Sequence, residues 1–206
     1  MPQVVLASIS PYRRQLLSRL QIDFQVAAPQ VDETPLPGEP PDARALRLAE
    51  EKASAVRADY PQALILGGDQ TIAAGGELFD KPGSRENAIA QLCDMRGRDL
   101  TFYTAVALTR AAEGAEGAAA EGAAGAAQTT TRRLVTHRAR FRDASPEEIR
   151  RYVEKEDATN CAGGAQVEGL GIALMDDISG GDPTALIGMP LICVAALLRG
   201  HGVEIP

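Results

Sequence analysis

The sequence predicts a mixed α/β fold, with one domain over residues 1–206 built around a twisted sheet. Three observations lead to this class. Short apolar runs, typical of buried strands, alternate along the chain with segments of helical periodicity. Two longer segments, 100–108 and 133–142, alternate apolar and polar residues, which predicts a long antiparallel hairpin. The length of 206 residues is enough to bury a sizeable core within a single domain.

The chain starts with a predicted strand and helix joined by a polar turn. Val4–Ala7 is a short apolar run that predicts the first strand. Ser10 and Pro11 predict the start of a helix, because serine caps helices and proline suits the first helical position. Ser8, Arg13 and Arg14 would then lie together at a strand-to-helix turn, where free backbone N–H groups favour an anion. The two arginines could equally be solvated helix surface, and the pattern leaves both interpretations open.

A second strand and a long helix follow, separated by a proline-rich loop. Residues 24–27 predict the strand, and the loop from 29 to 41 contains Asp32 and Glu33, to which the pattern assigns no role. From 42 to about 58 the apolar residues keep helical spacing. The charged residues inside that helix, Lys52 among them, are most simply a solvent-exposed face.

The most informative stretch is 64–72. An apolar run ends there in Gly67 and Gly68, which predicts a buried strand that breaks into a loop. Asp69 follows at once, and the ends of buried strands in α/β sheets are common ligand sites. Two residues without a Cβ atom would let a ligand or metal approach the backbone closely. The plainer interpretation is that Asp69 caps a turn.

Two further helix starts frame the predicted hairpin. Ser84 is a predicted N-cap for a helix that ends at Gly97, and Ser145 opens a capping box at the start of another helix. Between them, the low-complexity segment 111–131 consists almost wholly of alanine, glycine, glutamate, glutamine and threonine. Because it lacks large apolar residues, it predicts a mobile insertion in the hairpin.

The last part of the chain is glycine-rich and then apolar. The segment 161–171 has neither the spacing of a dinucleotide-binding fingerprint nor the Lys-Ser/Thr pair of a P-loop, so neither of these folds is supported. Residues 172–175 predict a strand and 180–183 a turn. An apolar closing helix is predicted to open at 186–190 and to end at Gly200.

Composition argues against several classes of function. A net charge of −7 argues against a general nucleic-acid binder, which needs a basic face. The first residues lack a signal-peptide pattern, and no apolar run reaches the roughly 18 residues that a membrane helix needs. The three cysteines and two histidines have no metal-binding spacing. We therefore expect reduced thiols, a cytoplasmic protein and no zinc site.

A set of motifs in fixed order carries the strongest signal. The motifs are 6–17 (LASISPYRRQLL), 31–33 (VDE), 51–53 (EKA), 67–70 (GGDQ), 80–82 (DKP), 168–171 (EGLG) and 188–191 (GMPL). With them the chain resembles the Maf-like nucleotide pyrophosphatases over nearly its full length, apart from 111–131. Within that family it is most similar to the YceF-type subgroup. The resemblance implies the fold of inosine-triphosphate pyrophosphatases, in which two α/β lobes flank a cleft.

The resemblance also implies a reaction and the residues that perform it. The family splits a nucleoside triphosphate between its α and β phosphates, with a divalent cation, Mg²⁺ or Mn²⁺, and releases a monophosphate and pyrophosphate. Asp69 matches the presumed catalytic base and, with Glu33, the metal ligands. The matching phosphate-binding residues are Ser8, Arg13, Lys52 and Lys81. This set makes chemical sense, because a hard divalent cation takes carboxylate and phosphate oxygens.

Three further positions match those that set base preference in the family. They are Tyr12, Gln70 and Glu168, where the pyrimidine-handling members typically carry arginine, threonine and glutamine. The subgroup implies 7-methyl-GTP as substrate. The carboxylate of Glu168 can accept hydrogen bonds from guanine, and the positive charge of the methylated base suits both a carboxylate and an aromatic ring. Tyr12 could supply that ring, or it could be a partly buried helix residue.

Two other functions stay open. A dTTP or UTP pyrophosphatase of the same family would share the catalytic residues and differ in its base contacts. A non-catalytic nucleotide-binding regulator of cell division would need no turnover, whereas the retained Glu33, Lys52, Asp69 and Lys81 favour catalysis. The expected partner is a small-molecule nucleotide, with no nucleic acid and no membrane, and relatives suggest a homodimer.

Overall fold

The fold is a mixed α/β sheet with helices packed on it, which confirms the predicted class. The computed structural model describes residues 2–111 and 128–206, and these residues contain seven strands and five α-helices. The strands are β1 (Val4–Ala7), β2 (Gln25–Ala27), β3 (Leu64–Ala74), β4 (Glu77–Leu78), β5 (Asp99–Ala111), β6 (Gln128–Phe141) and β7 (Met175–Ser179). The helices are α1 (Pro11–Ser18), α2 (Pro41–Ala55), α3 (Arg85–Met95), α4 (Pro146–Lys155) and α5 (Leu191–Arg199).

The sheet combines parallel and antiparallel pairing. Its strand order is β2-β1-β3-β5-β6-β7, with the short β4 paired to β3. β1 runs parallel to β2 and to β3, whereas β3, β5, β6 and β7 pair antiparallel in succession. β5 and β6 form the predicted long hairpin, from Asp99 opposite Arg140 to Ala111 opposite Gln128. The predicted mobile insertion thus begins and ends in paired strands, and its central part, 112–127, lies outside the described residues.

Apolar clusters pack at two ends of the long strands. Near β1, successive strand residues point to opposite faces, so α1 and α5 cover one face and α2 covers the other. At the far end, α3 and α4 pack on β3, β5 and β6 around a cluster that includes Ile72, Leu92, Phe102, Phe141 and Ile149. Because β3 passes from one group to the other, Asp69 lies between two packed halves. This agrees with the predicted two lobes around a cleft.

Three predicted helix starts are confirmed by their caps. The side chains of Ser10 and Ser84 accept hydrogen bonds from the backbone N–H groups three residues later. At Ser145 the full capping box is present: its hydroxyl accepts from the N–H of Glu148, and the Glu148 carboxylate accepts from the N–H of Ser145 at 2.8 Å. Among the described residues, no helix is long and apolar enough to cross a membrane.

The predicted break at Gly67 and Gly68 is wrong, because β3 continues through both glycines as far as Ala74. Helix α2 crosses the strand so closely that a Cβ at Gly67 would collide with the carbonyl oxygen of Ala49 and lie 2.7 Å from the backbone nitrogen of Ala53. The glycine therefore serves close helix-to-strand packing. The interpretation of Asp69 as a turn cap is also wrong, because Asp69 lies within the strand and not in a turn.

The predicted strand at 172–175 is also wrong. Leu170–Leu174 forms a 3-10 turn, and the strand at this place is β7, which starts at Met175. A short apolar run does not distinguish a strand from a buried helical turn by periodicity. A contact to a residue distant in the chain holds the end of the 3-10 turn: the N–H of Arg142 donates to the carbonyl of Leu174 at 2.8 Å.

Candidate active site

Lys52 and Asp69 form an ion pair in the interior, between α2 and β3. The Lys52 ammonium Nζ lies 2.7 Å from Oδ1 of Asp69 and 2.8 Å from Oε1 of Glu33. Lys52 is only 6% exposed and Asp69 only 7%. The interpretation of Lys52 as part of a solvated face is therefore wrong. Lysine is rarely buried without a partner, and here two carboxylates supply that partner.

The Glu33 carboxylate is the more exposed of the two acids. Partial burial opposes its ionisation, but the hydrogen bond and charge of Lys52, together with the charges of Lys81 and Arg13, outweigh burial and lower the pKa of Glu33. Lys81 is exposed, in the loop between β4 and α3. Glu33 is thus held as an anion by three of the predicted phosphate-binding cations.

The buried guanidinium of Arg44 holds two loops of this site, and the sequence analysis missed it. Its Nη2 donates to the backbone carbonyl of Glu33 at 3.2 Å, and its Nη1 lies 3.0 Å from Oδ1 of Asp80, the residue before Lys81. Arg44 is 6% exposed and lies two helical turns before Lys52 on α2. That i, i+8 spacing of two cations on one helix face was the signal that could have revealed it.

Arg13 joins the same cluster from α1. Its Nε donates to the carbonyl of Gly188 at 2.9 Å, and its Nη1 donates to the hydroxyl of Ser8 at 3.4 Å. Burial lowers the pKa of Arg13, while the nearby charges of Asp69 and Glu33 act in the opposite direction. The interpretation of Arg13 as solvated surface is wrong.

Gly68 makes room for this arginine. A Cβ at Gly68 would lie 3.3 Å from Nε of Arg13, closer than an ordinary van der Waals contact. The side chain of Arg13 therefore lies across β3 one residue before Asp69. The two glycines of the motif thus have separate tasks, since Gly67 admits α2 and Gly68 admits Arg13.

Gln70 makes its hydrogen bonds to the chain itself. Its amide nitrogen donates to the hydroxyl of Thr104 at 2.9 Å and to the carbonyls of Ala185 and Leu186 at 2.9 and 3.1 Å. These bonds fix the turn that leads to Gly188, the acceptor of Arg13. The geometry gives Gln70 a positioning task, and its predicted role in base selection stays a prediction.

Tyr12 and Glu168 lie within electrostatic reach of each other at another part of the site. Partial burial raises the pKa of Tyr12, and the ionisable groups near it, Cys161 and Glu168 among them, act in the same direction. The pKa of Glu168 is also raised, first by partial burial and then by the charge of Glu156. Burial raises the pKa of Cys161 to about 12, so its thiol stays protonated at neutral pH. The three predicted base-selecting residues therefore divide into one pair, Tyr12 and Glu168, and a separately engaged Gln70.

The donor set fits a divalent cation that is shared with a nucleotide. Within 2–111 and 128–206, no three His, Cys, Asp or Glu side chains are grouped so as to hold a metal ion alone. The carboxylates of Glu33 and Asp69 nevertheless both contact the ammonium of Lys52, at 2.8 and 2.7 Å. Mg²⁺ is commonly bound by one or two carboxylates plus substrate phosphates and water. That Glu33 and Asp69 bind a metal stays a prediction.

Comparison with known proteins identifies the family. The family model described as Maf-like protein matches residues 3–201. A relative from Aromatoleum aromaticum, named 7-methyl-GTP pyrophosphatase, is 48% identical over 99% of this chain and 98% of its own length. A protein of the same name from Nitrosospira multiformis is 47% identical over 98% of this chain and 96% of its own length. Another, from Xanthomonas campestris pv. campestris, is 47% identical over the full length of both chains, 100% of each. A solved structure of the Staphylococcus aureus Ham1 protein covers 69% of this chain and 73% of its own, at 16% identity and a TM-score of 0.42, which is too weak to bear on function.

The chain belongs to the Maf-like protein family. The predicted resemblance is thereby confirmed. The residues that carried it, Arg13, Glu33, Lys52 and Asp69, are also those that the fold brings into one cluster.

Proposed function

We propose that this protein is a nucleoside triphosphate pyrophosphatase that hydrolyses 7-methyl-GTP to 7-methyl-GMP and pyrophosphate in the cytoplasm. The observation that carries the proposal is the cluster in which the buried pair of Lys52 and Asp69 is joined by Glu33 and lies beside Arg13. The relatives named for this activity, 47–48% identical over nearly the full chain, support the choice of substrate. Small-molecule turnover would remove a modified nucleotide from the pool.

The phosphate groups of the substrate would contact a cluster of positively charged side chains. Arg13, Lys52 and Lys81 all act on Glu33, so their charges lie close enough together to face one triphosphate. Ser8 adds a hydroxyl at the strand-to-helix turn, where Arg13 already contacts it. Because Arg13 is fixed by Gly188, its guanidinium is oriented before the nucleotide binds, which lowers the entropic cost of binding.

Asp69 is the residue that acts on the attacking water. Water attacks the α-phosphorus, the bond from that phosphorus to the oxygen of the β-phosphate breaks, and the proton of the water passes to a carboxylate oxygen of Asp69. Lys52 holds the carboxylate in place through Oδ1. A divalent cation, Mg²⁺ or Mn²⁺, held by Glu33 and Asp69 would supply neutralisation of phosphate charge and polarisation of the phosphoryl group.

The part of the site that would contact the base, called the base end below, is negatively charged, in contrast to the positively charged phosphate-binding part. Glu168 can accept hydrogen bonds from the two adjacent donors of a guanine edge, and Tyr12 lies within its electrostatic reach. Methylation at N7 makes the base cationic, and a cation beside a carboxylate and an aromatic ring is stabilised by both. A pyrimidine with carbonyl acceptors at that edge would face the carboxylate without a donor to offer.

A substrate panel tests the proposal. Pyrophosphate release is measured for 7-methyl-GTP, GTP, dTTP and UTP with Mg²⁺ and with Mn²⁺. We expect kcat/KM to be highest for 7-methyl-GTP. A higher value for dTTP or UTP would favour the pyrimidine enzyme, and no turnover of any nucleotide would favour a non-catalytic regulator.

A further inference from the structure

We propose that Glu156 determines specificity: it holds the loop that carries Glu168 and adds a second negative charge, so that the base end selects a positively charged base. The inference rests on the proposed function and extends it to a residue that none of the motifs contains. Glu156 follows α4 directly, and its backbone N–H donates to the carbonyl of Tyr152 at 2.9 Å. Its side chain reaches the segment 166–171.

The carboxylate of Glu156 lies directly against the backbone next to Glu168. Its Oε2 accepts a hydrogen bond from the N–H of Gly171 at 3.2 Å. A Cβ at Gly169 would collide with Oε1 and lie 3.0 Å from Cδ of the same carboxyl group. The carboxylate therefore fills the space that Gly169 leaves open, beside the peptide bond that follows Glu168.

Two further hydrogen bonds attach this segment to the end of α4. The N–H of Gln166 donates to the hydroxyl of Tyr152 at 3.0 Å, and the Gln166 amide donates to the carbonyl of Asp157 at 2.8 Å. Each of these acceptors is neutral. Of the three attachments, the one made by Glu156 alone brings a negative charge.

The argument for a cationic ligand is the position of this charge: the Glu156 carboxylate lies against Gly169, the residue that follows Glu168. Burial first and then the charge of Glu156 raise the pKa of Glu168, and both Glu156 and Glu168 add to the effect of burial on the pKa of Tyr12. A glutamine could accept the same hydrogen bond from Gly171 without the repulsion. Two carboxylates near one aromatic ring repel each other until a cation lies between or beside them. A 7-methylated guanine supplies that cation, whereas unmethylated guanine does not.

The test compares two substrates that differ by one methyl group and one charge, 7-methyl-GTP and GTP. In Glu156→Gln the hydrogen bond to Gly171 is retained and the charge is lost. We expect KM for 7-methyl-GTP to rise about tenfold with kcat little changed, corresponding to about 1.4 kcal/mol, while kcat/KM for GTP stays within about twofold. The matched control is Glu154→Gln, which removes the same charge from an exposed position on α4 and is expected to change neither substrate.

The ratio of kcat/KM for the two substrates is the deciding quantity, because it does not depend on how much of a variant is folded. An unchanged ratio in Glu156→Gln would overturn the inference and leave the proposed function intact. If the ratio is unchanged because kcat/KM falls equally for both substrates, Glu156 has a structural task only. If the unaltered protein shows no preference for 7-methyl-GTP, the proposed function and the inference fail together.

Discussion

The ammonium of Lys52 donates to the carboxylate of Asp69 across 2.7 Å, and this bond joins α2 to β3 in the interior of the protein. The position of this ion pair explains two features of the sequence. A lysine stands on the buried face of a helix because an acid faces it, and that acid stands within a buried strand because the lysine neutralises it. The same ammonium reaches Glu33, so three residues separated along the chain form one ionic cluster.

Lys52→Met tests this cluster, because methionine keeps the apolar stem and removes the charge. Asp69 is then buried without its cation, and we expect the free energy of unfolding to fall by about 2 kcal/mol at neutral pH. Turnover should fall at least about a hundredfold, since a cation that we propose binds the substrate phosphates is lost. Urea unfolding of Lys52→Met, Asp69→Asn and the double variant measures the coupling. Strictly additive losses would argue against the pair, and Lys155→Met, on the exposed part of α4, serves as control.

Gly67→Ala tests why the strand contains a glycine there. The added methyl group would collide with the backbone of α2 at Ala49 and Ala53. We expect a loss of about 1–3 kcal/mol in the free energy of unfolding, typical of overpacked sites. Gly181→Ala is the matched control, because nothing lies within 4 Å of its added Cβ. Equal stability of the two variants would mean that α2 can withdraw from β3 without cost.

The capping box at α4 predicts a pH dependence of stability. The backbone N–H of Ser145, followed by Arg142, lowers the pKa of Glu148 to about 2, below the unfolded value of about 4.3. Because the folded pKa is the lower one, Glu148 stabilises the fold above about pH 4.3, and this contribution is lost as the pH falls towards about 2. Unfolding of Glu148→Gln should therefore show a deficit at neutral pH that shrinks in acid. Glu147→Gln is the control, and a deficit independent of pH would contradict the assignment.

Glu168→Gln separates the purine from the pyrimidine enzyme. Glutamine keeps one acceptor oxygen but loses the charge and gains an amide donor. A charge-assisted hydrogen bond of about 1.5–3 kcal/mol is weakened, so kcat/KM for 7-methyl-GTP should fall by roughly one to two orders of magnitude. Turnover of UTP or dTTP should hold or rise. A uniform fall for all three nucleotides would indicate damaged folding or catalysis and would count against a base-contacting Glu168.

Local signals in the sequence predicted much of the fold. The helix starts at Ser10, Ser84 and Ser145 depend on contacts within one turn, and the hairpin of β5 and β6 depends on alternation along each strand. Gly67 and Gly68 misled the prediction because the reason for a glycine was not local. Each accommodates an atom from a distant segment, α2 or Arg13, and no window around residue 67 contains that information.

The residues of the site likewise divide into those that the sequence predicted and those that it did not. The family motifs named Arg13, Glu33, Lys52 and Asp69, and the fold brings these four together. Arg44 and Glu156 lie outside every motif. Arg44 contacts the backbone carbonyl of Glu33 and the carboxylate of Asp80, and Glu156 contacts the backbone N–H of Gly171. A backbone group leaves no trace in the identity of its residue, so the two contacts to backbone could not be predicted, and only the spacing of Arg44 and Lys52 on one face of α2 pointed to Arg44.

The most direct measurement is pyrophosphate release from 7-methyl-GTP by Asp69→Asn, with nucleotide binding measured on the same preparation. Asparagine keeps the size of the side chain but removes the carboxylate that we propose takes the proton of the attacking water. We expect turnover to fall by at least about a thousandfold, while the variant stays folded and still binds 7-methyl-GTP. Turnover close to that of the unaltered protein would contradict it, because Asp69 would then be a structural partner of Lys52 and nothing more.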